Sequence, residues 1–435
     1  MGSPSNQDAT RRTIAAVWKI ESAKVIAGLA RIVRDIGVAE ELAQDALVAA
    51  LERWPHTGVP ERPGAWLMAT AKNRAIDLVR RRALHARKEG EIAREMDARF
   101  ENDMPDVDAG LDDAIGDDVL RLIFTACHPV LSTDARTALT LRMLGGLSTD
   151  EIARAFLVPE ATVAQRIVRA KRLLTEARVP FEVPRGDELA SRLASVLEVV
   201  YLIFNEGYSA TAGADWMRPA MCEEALRLGR ILAGLAPREP EVHGLVALME
   251  IQASRTRART GPDGQPILLL DQNRAHWDRL LIGRGLDALE RARALGRESA
   301  ERTPGPYVVQ AEIAACHARA GTAGETDWPR IAALYEVLAR IAPSPVVELN
   351  RAVAVAMAQG PADGLALTDA LCDSPALKSY HLLPSVRGDF LFKLGRRSEA
   401  RAEFERAAGL TRNARERALL LDRAAACASP KRGSP

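Results

Sequence analysis

The residues of this 435-residue chain best suited to binding chemistry lie in two stretches. The first is Ala65 to Arg82, AWLMATAKNRAIDLVRRR, a helical pattern with apolar residues on one side and Lys72, Asn73, Arg74, Arg80, Arg81 and Arg82 around the rest. Trp66 lies inside it and Trp54 just before it. Rings beside a basic helix suit an unpaired nucleic-acid strand, because base faces stack on aromatics while cations follow the phosphates. The second stretch, Ser148 to Arg172, has the pattern of a helix-turn-helix. Ser148 and Glu151 stand at capping-box spacing, Leu157-Val158-Pro159 makes the turn, and Glu160 to Arg172 forms a second helix. Val163, Ile167 and Ala170 face inward on it, while Ala161, Thr162, Gln165, Arg166, Arg169 and Lys171 face outward. In a recognition helix the first outward side chains reach base edges in the major groove and later cations hold phosphates. Two such elements in one chain point to a transcription factor.

The elements that must position these residues are helical throughout. Residues 13–35 place Ile14, Val17, Ile20, Val25, Ile26, Leu29, Ile32 and Val33 at helical spacing, and Gly37 is expected to end that helix. A second helix is expected from about Val38 to Trp54, and Pro55 to Pro63 reads as a structured loop. The net charge of +1 conceals strong segregation. Residues 1–88 carry 15 Lys/Arg against 9 Asp/Glu, residues 89–118 carry 2 against 12, and residues 119–184 carry 9 against 6. Screening within ~8 Å makes the local balance the relevant one for a bound phosphate. The acidic stretch 89–118, with its DMPDVD and DDAIGDD runs, reads as a flexible or extended linker.

Beyond Pro180, Pro184 and Gly186 the chain is Ala/Leu/Arg-rich and helical to about Ala428, with no alternating strand pattern. Gly388, Gly395, Ala400, Phe404 and Ala407 have the spacing of small and aromatic positions in a tetratricopeptide unit, whose period is ~34 residues. Tyr335, Pro343 and Thr368 mark earlier, degenerate units. The five cysteines form no CxxC pair, so neither a zinc site nor a disulfide framework is indicated, and no cofactor is expected. No secretory pattern and no apolar run of ~20 residues occur, so the expectation is a cytoplasmic protein without a membrane anchor. Without a glycine-rich phosphate loop, HExxH or GxSxG, an enzyme is not expected.

With these motifs in place, a resemblance can be stated. Glu41-Leu42-Ala43-Gln44-Asp45-Ala46-Leu47, then Ala65-Trp66-Leu67, Ala71-Lys72-Asn73-Arg74-Ala75-Ile76-Asp77 and the closing Arg run resemble the second conserved domain of bacterial sigma factors. The closest group is the extracytoplasmic function (ECF) type, and the helix-turn-helix resembles the family's fourth domain. The resemblance implies an all-α chain with one sigma domain at 10–88, the acidic linker at 89–118, a helix-turn-helix domain at 119–180 and a tetratricopeptide-like helical domain at 186–428. It implies core RNA polymerase and promoter DNA as partners. Glu41, Leu42, Gln44 and Asp45 would dock on the polymerase. Trp54, Trp66, Lys72, Asn73, Arg74, Arg80 and Arg81 would capture the opened −10 strand, and Thr162, Gln165, Arg166, Arg169 and Lys171 would read the −35 element. The acidic linker would either thread a basic channel of the polymerase or serve as a plain tether.

The C-terminal extension departs from a minimal two-domain sigma factor. The runs Tyr201–Ser209 (YLIFNEGYS) and Pro345–Val353 (PVVELNRAV) resemble a subgroup with a long tetratricopeptide-like tail. Asn205, Glu206, Tyr208, Asn350 and Arg351 are polar groups within apolar helices, so they are either buried hydrogen-bond partners, the favoured reading, or groove-lining contacts. A concave repeat surface would bind a peptide or partner protein, or fold back on the DNA-binding domains, and regulation by the fused tail is the expectation. The competing reading is a conventional helix-turn-helix regulator with a ligand- or partner-sensing helical tail, which leaves the basic helix without a role.

Overall fold

The computed structural model describes residues 4–89, 111–156, 158–210, 212–213, 217–262, 264–298 and 303–428. They form eighteen α-helices with short 3-10 turns, so the all-α expectation holds. One two-residue parallel pairing, Ala212–Gly213 with Arg412–Asn413, is the exception to it. The chain divides into two compact units, Met1–Val200 and Tyr201–Pro435.

The first unit begins with α1 (Pro4–Val33), α2 (Ile36–Thr57) and α3 (Pro63–Glu89), which pack on one another. Ile14, Val25, Ile26, Leu29 and Val33 of α1 are buried as their spacing requires, whereas Ile20 is 60% exposed. The break after α1 comes earlier than Gly37: Asp35 Oδ1 accepts from the amides of Gly37 (2.8 Å) and Val38 (3.0 Å) and caps α2, placing Gly37 in its first turn. Nor does α2 stop at Trp54. It continues through Pro55 to Thr57 and ends at Gly58, whose φ of +83° suits glycine and whose amide donates to Trp54 O at 3.0 Å.

Four helices follow in the same unit: α4 (Leu111–Ala126), α5 (Thr133–Met143), α6 (Thr149–Phe156) and α7 (Glu160–Glu176). The DDAIGDD run, expected to be extended or flexible, lies in the first half of α4 and is therefore helical, while DMPDVD falls outside the described residues. The reason lies on α1. Asp118 is buried, and its carboxylate pairs with Arg31 at 3.1 Å as well as with Arg121 at 2.6 Å. The capping box is present as read, Ser148 N donating to Glu151 Oε2 at 2.8 Å and Glu151 N to Ser148 Oγ at 3.1 Å. Partial burial opposes ionisation of Glu151, but its Ser148 hydrogen bonds and Lys19 hold the carboxyl below its usual range.

The next helix, α8 (Asp187–Tyr208), carries the chain from the first unit into the second. In the second unit α9 (Pro219–Leu235) packs on α10 (Pro240–Ala253), which with α11 (Arg279–Glu298) and α12 (Pro306–Arg319) surrounds a core that includes Leu248, Ile251, Trp277, Leu289 and Ala315. Gly207 of α8 lies tight against the start of α9: a Cβ there would lie 2.6 Å from the Cys222 amide nitrogen. Because the obstacle is backbone, Gly207→Ala is expected to lower stability by about 1–3 kcal/mol, read as a lower denaturant midpoint at unchanged slope.

Helical hairpins complete the unit. They are α13 (Trp328–Ile341) with α14 (Pro345–Ala358), then α15 (Pro361–Asp369), α16 (Leu382–Lys393), α17 (Arg397–Leu410) and α18 (Ala414–Ala428). The small positions read from the sequence do their packing here. A Cβ on Gly388 would meet the Phe404 ring at 2.8 Å, Gly395 turns the chain at φ +80°, and Ala400, Phe404 and Ala407 are fully buried. Thr368 is also fully buried, its hydroxyl donating to Leu365 O at 2.9 Å. Of the polar groups expected to be buried, Asn350 is exposed, Arg351 is half-buried against Glu348 at 2.8 Å, and half-buried Glu206 pairs with Arg218.

His317, on α12, is buried edge-on against Trp328 at 5.2 Å. Burial, with Arg255 and Arg274 nearby, pushes its pKa down to about 4 from the ordinary 6.5. The unfolded chain takes up the proton more readily, so protons favour unfolding. Stability is expected to fall by up to about 3 kcal/mol as pH drops from about 6.5 to about 4, and to level off below. Denaturant titrations across that range should show a flatter profile for His317→Asn.

Candidate nucleic-acid interface

On α3 the buried residues Leu67, Ala71 and Ala75 recur every four positions and fix the helix against α1 and α2. Opposite them Asn73, Arg74, Asp77, Arg80 and Arg81 are exposed and share one face, with Lys72 half-buried at its edge. The Arg82 side chain lies outside the described residues. Trp54 does not join this face. It is 2% exposed, its ring meeting Trp66 edge-on with centroids 5.3 Å apart. The expectation that Trp54 stacks on a base is therefore corrected: its ring is core, and half-buried Trp66 is the one with accessible surface.

The α2 residues also separate. Glu41 and Asp45 are exposed, Gln44 is half-buried and donates to Glu40, and Leu42 is buried in the domain core. Leu42 is thus corrected from a docking residue to a packing one. Asp45 pairs with Arg74 of α3 at 2.9 Å. Both partners are about half exposed, so the pair contributes little, ~0–1 kcal/mol.

On α7 the inward set is confirmed, with Val163, Ile167 and Ala170 all buried. Gln165 and Arg169 are exposed on the outer side, and Thr162 is half-buried near the N-terminus. Arg166 is turned to Asp134 in the first turn of α5, at 2.8 Å. Sequence reading missed Arg172, which extends the exposed side one turn further and pairs with Glu176 at 3.3 Å.

Lys171 is the larger departure. Its ammonium is in ion-pair contact with Glu40 of α2, whose carboxylate is only 4% exposed and also accepts from Arg142 Nε of α5 at 2.6 Å. One buried carboxylate of α2 thereby holds two cations of the helix-turn-helix domain. Smaller contacts surround it. Thr175 Oγ1 donates to Asp35 Oδ2 at 3.3 Å, Lys19 pairs with Glu151 at 3.5 Å, and the Gly146 turn rests on α1 beside Ser22. A signal for Glu40 existed in the sequence. It stands on the apolar stripe of α2, between Ile36 and Ala43 at helical spacing, where a carboxylate needs a partner from elsewhere.

Among the described residues no cluster of His, Cys, Asp or Glu is placed to hold a metal ion, and no helix is long and apolar enough to cross a membrane. The arrangement is built for binding: an exposed cationic helix face beside an aromatic pair, and a capped helix-turn-helix. That defines a helical DNA-binding protein. Its families are explicit. Residues 21–84 match Sigma-70 region 2, residues 121–174 match Sigma-70, region 4, and residues 192–293 match a family of unknown function (DUF6596). An uncharacterised protein of Rhizobium meliloti is 44% identical over 399 residues, covering 91% of this chain and 92% of that protein. The RNA polymerase sigma-H factor of Pseudomonas aeruginosa is 28% identical over 163 residues, 36% of this chain and 81% of that factor. A probable ECF RNA polymerase sigma factor, SigI, of Mycobacterium tuberculosis is 26% identical over 166 residues, 38% of this chain and 56% of that factor. The chain thus carries Sigma-70 region 2 and region 4 domains, similar to those of ECF sigma factors, followed by a long helical C-terminal part.

Proposed function

We propose that this chain is a promoter-specificity subunit whose two sigma domains are clasped together at rest and separate on the polymerase. Glu41, Gln44 and Asp45 offer the docking surface for core RNA polymerase. Asn73, Arg74, Arg80 and Arg81, with Lys72 and Trp66 at their side, track the opened −10 strand. Thr162, Gln165, Arg166 and Arg169 read the −35 element. The observation that carries this reading is the coexistence in one chain of the α3 cation face and the capped α6–α7 pair.

Geometry requires the separation. Elements at −10 and −35 lie about 25 base pairs apart, or about 85 Å at ~3.4 Å per pair. Two domains joined by the Glu40 ion pairs cannot reach both. Residues 90–110 can span at most about 70 Å when extended, which together with the width of the domains suffices for the open form. In that form Lys171 and Arg166 exchange Glu40 and Asp134 for DNA.

Arg166→Ala is accordingly expected to weaken −35 discrimination by ~1–3 kcal/mol per lost base contact while leaving the fold intact. Competition binding with duplexes altered at single −35 positions checks it. The C-terminal part is a degenerate tetratricopeptide-like stack on this reading, and its groove takes a peptide or partner protein that regulates the sigma domains. An open groove of about 580 Å³ runs along α13, α14 and α15, lined by Ala332, Ala333, Glu336, Arg351, Val355 and Asp363 among others.

The test is to mix the purified chain with core RNA polymerase and map transcript starts on genomic DNA. Specific starts sharing two upstream elements support the reading and supply the consensus. Failure to bind polymerase, with duplex DNA still bound by the chain alone, would favour a conventional regulator with a sensing tail.

A further inference from the structure

The Tyr201–Ser209 run, left unused by promoter recognition, faces an unusual cluster. Tyr201, Asn205 and Tyr208 recur at i, i+4 and i+7 on α8 and so share one side of it. The Tyr201 hydroxyl lies 3.3 Å from Gln310 Oε1, within hydrogen-bonding reach of Asn205 and Gln252 as well, and its ring meets Tyr307 edge-on at 5.5 Å. Three guanidinium groups converge on this polar and aromatic wall. Arg255 stands 5.7 Å from the Tyr208 ring centre and 5.8 Å from that of Trp277. Arg259 lies 3.5 Å from the Tyr208 ring centre, and Arg274 is 4.8 Å from that of Trp277.

Around Arg255 and Arg274 the described neighbours are mostly neutral. Arg274 is buried and donates to His317 O (2.7 Å), Ala320 O (2.6 Å) and Thr326 Oγ1 (3.0 Å). Arg255 is half-buried and its guanidinium makes no hydrogen bond or ion pair with any described residue; ring faces are its contacts. Buried polar atoms without a partner gather around it: the Nε atoms of Arg255 and Arg274, Trp277 Nε1, His317 Nδ1 and Gln252 Oε1. Burial and the neighbouring Arg255 push the pKa values of Arg274 and His317 down, with Glu325 opposing the shift at Arg274.

Cation–π contacts alone contribute ~0.5–2 kcal/mol each. Even half-buried, a cation without a counter-ion is costly, and unmet buried donors add to the cost. An arrangement of this kind is stable when something negative completes it. We propose that Arg255, with Trp277 Nε1 and the Tyr201 hydroxyl, forms a binding site for a small molecule bearing a carboxylate or phosphate group. The C-terminal part then senses a small anionic ligand, through residues separate from the α13–α15 groove and from both DNA-binding faces.

Thermal denaturation of the full chain tests this, with inorganic phosphate and acetate as probes against chloride at equal ionic strength. The melting temperature of the unaltered chain should rise with one of the two probes and saturate. Saturation with phosphate assigns a phosphate-bearing ligand, and saturation with acetate a carboxylate. Arg255→Gln should abolish the gain, yet melt no lower than the unaltered chain in chloride, since it removes an uncompensated charge. Tyr201→Phe, which removes only a hydroxyl, should weaken the apparent affinity several-fold. An equal gain in both chains, no saturable gain with either probe, or an Arg255→Gln chain that melts well below the parent in chloride would each overturn the proposal.

Discussion

Glu40→Gln should release the helix-turn-helix domain and raise the affinity of the free chain for −35 duplex DNA roughly tenfold or more. The side chain is almost fully buried and serves Arg142 and Lys171 together. Removing one partner of a buried pair costs ~3–5 kcal/mol because the charge left behind has no compensation. In the separated form, however, both cations return to water, so the penalty falls on the clasped form alone. Even a 3 kcal/mol change shifts the ratio of clasped to separated molecules roughly a hundredfold. The apparent gain in DNA affinity is bounded by the fraction that was already separated, which is why tenfold is the safer expectation. Lys171→Ala breaks the same clasp but gives up a cation of the recognition helix, so its gain should be smaller. Fluorescence anisotropy with a labelled duplex, run beside circular dichroism to check the fold, distinguishes the two. An unchanged affinity for Glu40→Gln in a folded protein would mean that the clasp does not control access to DNA.

Much of this architecture was legible because it is local. The apolar period of α7 and the Ser148–Glu151 capping box need only four or five neighbouring residues, and both are found as read. The tight α16–α17 hairpin was legible for the same reason, Gly388 making room for Phe404 one helix later. What escaped depends on partners distant in sequence. Asp118 belongs to a run whose composition predicts solvation, but Arg31, 87 positions away, draws it into a buried pair and the run into a helix. Glu40 is held by residues more than 100 positions on. Pro55 misled for a different reason. A proline removes one amide donor and crowds the carbonyl four residues back, but here that carbonyl belongs to exposed Leu51. With Trp54 anchoring the turn in the core and Thr57 Oγ1 donating to Arg53 O at 3.1 Å, the helix survives to Gly58.

Trp54 gives the other large effect, and here sequence and structure lead to opposite experiments. A tryptophan preceding a basic helix invites a stacking role, for which Trp54→Ala would spare stability and impair strand capture. The observed ring is 2% exposed and sits edge-on to Trp66. Trp54→Ala is therefore expected to destabilise the first unit by about 3–5 kcal/mol, the cost of emptying an aromatic site in a packed core. Trp54→Phe keeps most of the apolar volume and the edge-to-face contact. The indole nitrogen it removes has no hydrogen-bond partner, so the cost should be well below that of alanine. Trp66→Ala should show the reverse balance: a smaller loss of stability, with binding to a single-stranded −10 oligonucleotide weakened by ~1–3 kcal/mol if a base stacks there. Denaturant midpoints and oligonucleotide affinities measured on the same three variants separate packing from stacking. A stable Trp54→Ala chain that no longer holds the strand would restore the stacking role to Trp54 and require its ring to leave the core when DNA binds.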